Sequence, residues 1–235
     1  MIADFGIYFY RARNPPMVDI KTLLSQVDTV LFDMDGTIVN TEPLHAKAAM
    51  LVLNDLGINI DLEACIEKYY GMTDTTVLKL ACPQMNDQEI EAAIVKKNQH
   101  LIEIFQTLSH SEKINYITPG FFEFINLLKF ERKNTAVISA SEDIVVEHTL
   151  RCFEIDRLID LKMGRGQTQL TKPHPEPYLE GMRRLNTHSS RTLIFEDSPT
   201  GLQSAIASGA TVIRIKGFAH NNHVLHTNEV ENFLF

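Results

Sequence analysis

Three short apolar runs, each stopping at a polar side chain, constrain this sequence most. Thr29-Val30-Leu31-Phe32 stops at Asp33, Thr135-Ala136-Val137-Ile138 at Ser139, and Thr192-Leu193-Ile194-Phe195 at Glu196-Asp197. Runs of this length, rich in β-branched and aromatic residues and without alternation, fit strands covered on both faces. A fourth run, 211–215, has the same apolar content but no such polar terminus. Apolar spacing predicts helices over 120–130, 142–152, 176–185 and 199–208, the last stopped by Gly209. Strands alternating with helices in this way predict an α/β fold, a Rossmann-like doubly wound parallel sheet. Residues 42–117 interrupt the alternation with helical patterns over 44–56, 62–70, 75–80 and 87–108, so they read as an inserted all-α cap domain. The core domain is then 27–41 with 118–235. Residues 1–26 read as an N-terminal extension, broken by Asn14-Pro15-Pro16 and carrying a short helix over 20–25.

Composition narrows the function classes. The chain of 235 residues has 30 acidic and 22 basic side chains, a net charge of −8, and no Lys/Arg run, which argues against nucleic acid as a partner. Cys65, Cys82 and Cys152 are too few and too widely spaced for a disulfide framework or a zinc knuckle, so they read as buried thiols. No stretch approaches the ~18 apolar residues of a membrane span, and the first ten residues make a poor signal peptide. A cytoplasmic protein, monomeric or weakly dimeric, is the expectation. His220, His223 and His226 suggest a transition-metal string, but their spacing drifts around a helix and no carboxylate is placed to orient the rings.

The polar strand ends are where chemistry is expected. In an open α/β sheet the ligand crevice lies at the carboxyl ends of the strands, near the reversal of the winding. Asp33, Ser139 and Glu196-Asp197 should therefore converge. Buried carboxylates brought together need a cation or a proton. An all-oxygen donor set without Cys or His favours a hard ion, with Mg2+ the default. In Asp33-Met34-Asp35-Gly36-Thr37 the second carboxylate stands two positions after the first, on the same side of an extended segment, and Gly36 permits a sharp turn. Asp33 as a nucleophile would attack phosphorus without needing a base, and a protonated Asp35 would serve the leaving alkoxide and then water. Lys172, ahead of Pro173-His174-Pro175, would neutralise a phosphoryl group.

These residues together resemble the haloacid dehalogenase superfamily. Asp33-Met34-Asp35-Gly36-Thr37 resembles its first motif, Ser139 its second, Lys172 its third, and Glu196-Asp197 with Ser198-Pro199-Thr200-Gly201 its fourth, across residues 28–217. The resemblance implies that Asp33, Asp197 and the backbone carbonyl of Asp35 hold Mg2+ directly and that Glu196 acts through water. The helical insertion resembles the cap of the subfamily that contains β-phosphoglucomutase and many sugar-phosphate phosphatases. In that pattern Thr41 and His45 match the cap hinge and acid/base control, Lys97-Asn98 a substrate-facing pair, and Ser139-Ala140-Ser141 the second motif; Gly71 falls on the loop facing the pocket.

Two departures from the mutase pattern point to hydrolysis. Tyr70-Gly71-Met72-Thr73-Asp74 lacks the arginine that would clamp a distal phosphate, and Thr37 is the residue more usual in the phosphatases. Asn40 stands where these families often carry aspartate. The expectation is a Mg2+-dependent phosphatase of a small phosphorylated metabolite, a sugar or polyol phosphate, acting through an aspartyl-phosphate on Asp33. The alternatives are a β-phosphoglucomutase-like hexose phosphate mutase and a non-catalytic sensor of a phosphorylated ligand. Dehalogenation fits less well, since a halide leaving group needs no proton from Asp35.

Overall fold

The four apolar runs form strands, and the register in which they pair determines which polar residues meet. The structure, a computed structural model, describes residues 7–8, 17–18, 20–69, 72–216, 228–230 and 233. Strands β1 (Ile7–Tyr8) and β2 (Met17–Val18) form an antiparallel pair. After α1 (Ile20–Gln26) come β3 (Thr29–Phe32), then the helices α2 (Glu42–Asp55), α3 (Leu62–Tyr69), α4 (Asp74–Ala81), α5 (Asp87–Thr107), α6 (His110–Tyr116) and α7 (Phe121–Phe130). The remainder alternates: β4 (Asn134–Ile138), α8 (Asp143–Cys152), β5 (Leu161–Met163), α9 (Glu176–Arg184), β6 (Thr192–Glu196), α10 (Pro199–Ala207), β7 (Thr211–Ile215) and β8 (Asn228–Val230).

The main sheet has six strands in the order β5-β4-β3-β6-β7-β8, every neighbour parallel. The chain enters at β3, winds outward through β4 and β5, and restarts on the other side at β6. The winding therefore reverses between β3 and β6, which is the doubly wound α/β arrangement that the sequence predicts. Both faces of the sheet are covered. On one, Leu31, Ala136, Ile138 and Ile194 pack with Tyr178 and Met182 of α9 and Leu202 and Ala205 of α10. On the other, Phe32 and Phe195 stack at 5.5 Å and meet Phe124 of α7 and Phe233 edge-on or tilted. Such clustered aromatic rings add edge and stacking contacts to simple area burial.

The edge strands β5 and β8 carry no comparable sequence signal. Leu161-Lys162-Met163 and Asn228-Glu229-Val230 are too short to show a period, and backbone pairing to β4 and β7 makes them strands.

The chain divides into two compact units, Met1–Asn40 with Lys113–Phe235, and Thr41–Glu112. The second is helical, and its core joins Val52 and Leu53 of α2, Cys65 and Tyr69 of α3, Val77 and Leu78 of α4, and Ile90, Ala93 and Ile94 of α5. Helix α5 opens with a capping box in which Asn86 Oδ1 accepts from Glu89 N and Glu89 Oε2 accepts from Asn86 N. Among the described residues no helix is long and apolar enough to cross a membrane. Gly71 and the His220, His223 and His226 string lie outside the described residues.

Asp160 ties the start of β4 to the lead-in of β5. Its Oδ2 accepts from Thr135 N (2.8 Å) and Oγ1 (2.9 Å), and Lys129 of α7 donates to Oδ1 at 2.6 Å. Partial burial raises the Asp160 carboxyl, but the bonds from Lys129 and Thr135 outweigh it and hold the group below its ordinary value. A carboxylate lowered on folding adds stability that is present above its unfolded value and lost as pH falls through the folded one. Asp160→Asn should therefore reduce unfolding free energy by about 1 kcal/mol at pH 7, and the gap should begin to narrow below about pH 4 and close only below the folded value, which lies lower. Denaturant titrations at pH 7 and about pH 2 read this directly; an equal gap at both would exclude the carboxylate charge.

Candidate active site

Strand register builds the site. Phe32 lies opposite Phe195, so the residues that follow, Asp33 and Glu196, leave neighbouring strands side by side. Asp33 N donates to Phe195 O at 2.9 Å, which carries the pairing one step beyond β3. On the other flank Phe32 pairs with Val137, so Ser139 emerges just past the end of β4, and its N–H donates to Met163 O of β5 at 2.9 Å. Carboxyl oxygens of Asp33, Glu196 and Asp197 all fall within 4.8 Å of one another.

Lys172 enters this cluster from the loop before α9. Its Nζ donates to Asp33 Oδ1 at 2.5 Å and Glu196 Oε2 at 2.7 Å, with 4% of the side chain exposed. Glu196 is wholly buried. Its Oε1 accepts from Asp197 N (3.1 Å), Ser198 N (3.2 Å) and Ser198 Oγ (3.0 Å), while Oε2 accepts from Lys172 and from Tyr178 OH at 2.6 Å. Five donors meet about four lone-pair positions, so both oxygens are fully engaged. Asp197, half-buried, accepts from Thr37 Oγ1 at 3.1 Å, and Thr37 is itself anchored where Thr118 Oγ1 donates to its carbonyl at 2.7 Å.

The Asp35 carboxylate has serine partners. Its Oδ2 accepts from Ser139 Oγ at 3.3 Å and Ser141 Oγ at 2.9 Å, and Ser141 N donates to Ser139 Oγ at 3.0 Å. The strand ends thus carry two groups, Asp33 with Lys172, Glu196 and Asp197, and Asp35 with Ser139 and Ser141. Ala140, between the two serines, is exposed.

Charge balance in the cluster is uneven. Burial first, and then the Glu196 charge, raise both the Asp33 and Asp197 carboxyls, Asp33 well above the ordinary range and Asp197 to about 8. Burial opposes the charge on Lys172, but Asp33 and Glu196 outweigh it and hold the ammonium well above its usual value. One ammonium faces three carboxyl groups, so the site is short of positive charge. An all-oxygen donor set with that deficit fits a hard divalent cation. With the Glu196 oxygens committed, Asp33 and Asp197 are the side chains free to turn toward such an ion.

The helical unit has its own polar cluster. Lys97 of α5 is 2% exposed, and its Nζ meets His45 Nδ1 of α2 at 2.7 Å and Asp74 Oδ2 of α4 at 3.0 Å. His45, Tyr69, Met72 and Asp74 line a cavity of about 50 Å³ there, with Glu42 and Cys65. Thr41 is fully buried at the start of α2. Two partners have no role in the sequence reading. Asp74 was legible only as part of a stretch lacking arginine, and Tyr178 is hidden among the apolar positions Pro177, Gly181 and Met182 of α9.

An acidic cluster and one lysine lie at the switch point of a doubly wound sheet, where open α/β folds bind their ligands. The chain belongs to the haloacid dehalogenase-like hydrolases: that family's model matches residues 30–215. It is 27% identical over 201 residues to a phosphorylated carbohydrates phosphatase of Thermotoga maritima, covering 83% of this chain and 87% of that one. It is 25% identical to the fructose-1-phosphate phosphatase YqaB of Escherichia coli, covering 80% and 95%. In fold it is similar to CbbY of Rhodobacter sphaeroides, solved in complex with phosphate, with a TM-score of 0.74, 22% identity, and 88% and 95% of the two chains covered.

Close backbone approach at Gly36 is testable. Gly36 has φ +88°, and a Cβ there would lie 2.2 Å from Asp197 Oδ2. Gly209 has a similar φ of +78°, but its nearest contact would be an ordinary 3.5 Å from Ser189 Oγ. Gly209→Ala should lose only backbone strain, about 1 kcal/mol, whereas Gly36→Ala should lose about 1–3 kcal/mol more by displacing Asp197. Equal losses in denaturant titrations of the two variants would refute the crowding.

Proposed function

We propose that the chain is a Mg2+-dependent phosphatase that hydrolyses a small phosphorylated metabolite, a sugar or polyol phosphate, through a phosphoryl group carried on Asp33. The observation that carries this reading is the meeting of Asp33 with Lys172 at 2.5 Å, beside Asp197 and Glu196, at the reversal of the sheet. The names of the Thermotoga and Escherichia relatives support the substrate class.

Asp33 would attack phosphorus while the bond from phosphorus to the ester oxygen breaks. Asp35 would give that oxygen a proton. In the second half Asp35 would take a proton from water as the water oxygen attacks phosphorus, returning Asp33 as a carboxylate and releasing inorganic phosphate. Ser139 and Ser141 hold the Asp35 carboxyl, and a rigid acid/base group serves both halves with little rearrangement. Lys172, charged and held between Asp33 and Glu196, would neutralise phosphoryl oxygens as charge develops. Asp33 and Asp197, with the backbone carbonyl of Asp35, would hold Mg2+, which when bound supplies further charge neutralisation at the phosphoryl group.

The mutase reading draws on Ser139-Ala140-Ser141 and the pairing of His45 with Lys97. It is the weaker one because Asp74 gives Lys97 a counter-charge within the helical unit, and a mutase must clamp a second phosphate.

Three measurements test this. With p-nitrophenyl phosphate and Mg2+, Asp33→Asn should lose at least about a thousandfold in kcat. Asp35→Asn should lose far more on alkyl phosphates than on the p-nitrophenyl ester, whose leaving group needs no proton. Full turnover by Asp33→Asn would remove the nucleophile. Hexose 1-phosphate should yield free phosphate, and a 6-phosphate product would favour the mutase. Mg2+ titration by calorimetry at pH 7 should be accompanied by proton release, since burial and the neighbouring Glu196 charge raise both the Asp33 and Asp197 carboxyls and the ion would displace their protons. Binding heats that do not vary with buffer ionisation enthalpy would contradict this.

A further inference from the structure

Lys172 sits on an irregular loop, between exposed Thr171 and exposed Pro173, yet its ammonium is among the most enclosed groups in the α/β unit. Something must hold a flexible four-carbon side chain in one place. The loop backbone is tied down at both ends. Gln169 N and Leu170 N donate to the Glu176 carboxylate at 3.0 and 3.1 Å, and Ser204 Oγ of α10 donates to His174 O at 2.6 Å. Neither tie touches the lysine side chain.

Tyr178 does. It is fully buried in the first turn of α9, its ring lies 4.9 Å below Lys172 Nζ, and its hydroxyl donates to the same Glu196 oxygen that Lys172 uses. The ring face attracts the cation from one side while the hydroxyl fixes the carboxylate that attracts it from another. Two of the three ammonium protons go to Asp33 and Glu196. Fixing those two directions also fixes where the third points.

We propose that Tyr178 is a positioning residue: by clamping Glu196 Oε2 and underlying Lys172, it sets the direction in which the lysine presents its remaining proton to the substrate. Without the hydroxyl, Glu196 Oε2 keeps only Lys172 as a partner, and the lysine is drawn toward that carboxylate and away from Asp33. The residue touches neither substrate nor reacting atoms, so its effect falls on the rate of the bound complex rather than on binding. This inference rests on the phosphatase reading above.

The test is Tyr178→Phe, which keeps the ring and removes the hydroxyl, with p-nitrophenyl phosphate and Mg2+ as probes. One lost hydrogen bond to a charged acceptor should lower kcat about tenfold and leave KM within about twofold. Tyr178→Leu, which also removes the ring, should lose several-fold more. In a double-mutant cycle, Tyr178→Phe should add almost nothing to Glu196→Gln, because both act through one contact. Val212→Ala, in the same core cluster and away from the cluster of charges, supplies the comparison for stability: it should lower the thermal midpoint without lowering kcat. A Tyr178→Phe enzyme with wild-type kcat, or losses that simply add to those of Glu196→Gln, would overturn the positioning role while leaving the phosphatase reading in place. Absence of turnover in the wild-type chain on every phosphoester would overturn both.

Discussion

Repulsion among three crowded carboxyl groups, two buried and one half-buried, is the constraint to which the rest of the α/β unit answers. Asp33, Glu196 and Asp197 are held within 4.8 Å by the pairing of β3 with β6. Left to themselves in a low dielectric, such groups would separate or take up protons. The sheet prevents separation, because strand neighbours are held about 5 Å apart by their backbone hydrogen bonds. Lys172 offsets part of the charge, and Glu196 is further stabilised by four other donors. What remains is a site with a deficit of positive charge on Asp33 and Asp197. On the proposed reading that deficit is functional, since a divalent ion restores the balance and an anionic phosphoryl group can then approach.

Holding such a site open to chemistry requires rigidity beneath it. The stacked and edge-on rings of Phe32, Phe195, Phe124 and Phe233 lie directly under the strand ends on one face. On the other face Tyr178 is shared between the apolar cluster of Leu31, Ile138 and Ile194 and the charged site above it. Core and site are therefore joined through one side chain. Two glycines allow the final approach. Gly36 passes against Asp197, and Gly201, in the first turn of α10, leaves no room for a Cβ beside Glu196, which would stand 2.0 Å from Oε2. Neither glycine is needed for the helix or the strand; both are needed for the carboxylates.

The central strands were legible because their runs are apolar throughout and end abruptly in Asp33, Ser139 and Glu196-Asp197. Burial on both faces writes that pattern into composition. The helices of the inserted segment were legible for the opposite reason: a half-exposed helix must alternate, and α5 does so from Ile90 to Phe105 behind a capping box. The edge strands β5 and β8 were not, since three residues cannot show a period and pairing alone defines them. Side-chain partners were the least legible. Nothing in the spacing of Lys97 and Asp74, or of Lys172 and Tyr178, says that they touch, because the first contact depends on how two helices pack and the second on how a loop folds back over α9. The Asp35 carboxyl shows the same limit. Its position two after Asp33 suggested a shared side, but the spacing does not say that Ser139 and Ser141 are its partners.

The two buried lysines show how one chemical group is put to different uses. Lys172 is flanked by Asp33 and Glu196 inside a surplus of negative charge, and each of its partners belongs to the reacting centre or its support. Lys97 meets one carboxylate, Asp74, and one imidazole, His45, so its charge is matched within the helical unit itself. A buried cation whose counter-ion is fixed beside it contributes little field to a ligand, because the pair acts as a short dipole rather than as a charge. A lysine shared among excess carboxylates keeps its electrostatic reach toward any anion that, with a divalent ion, relieves their crowding. The two lysines thus differ in what surrounds them rather than in how deeply they are buried.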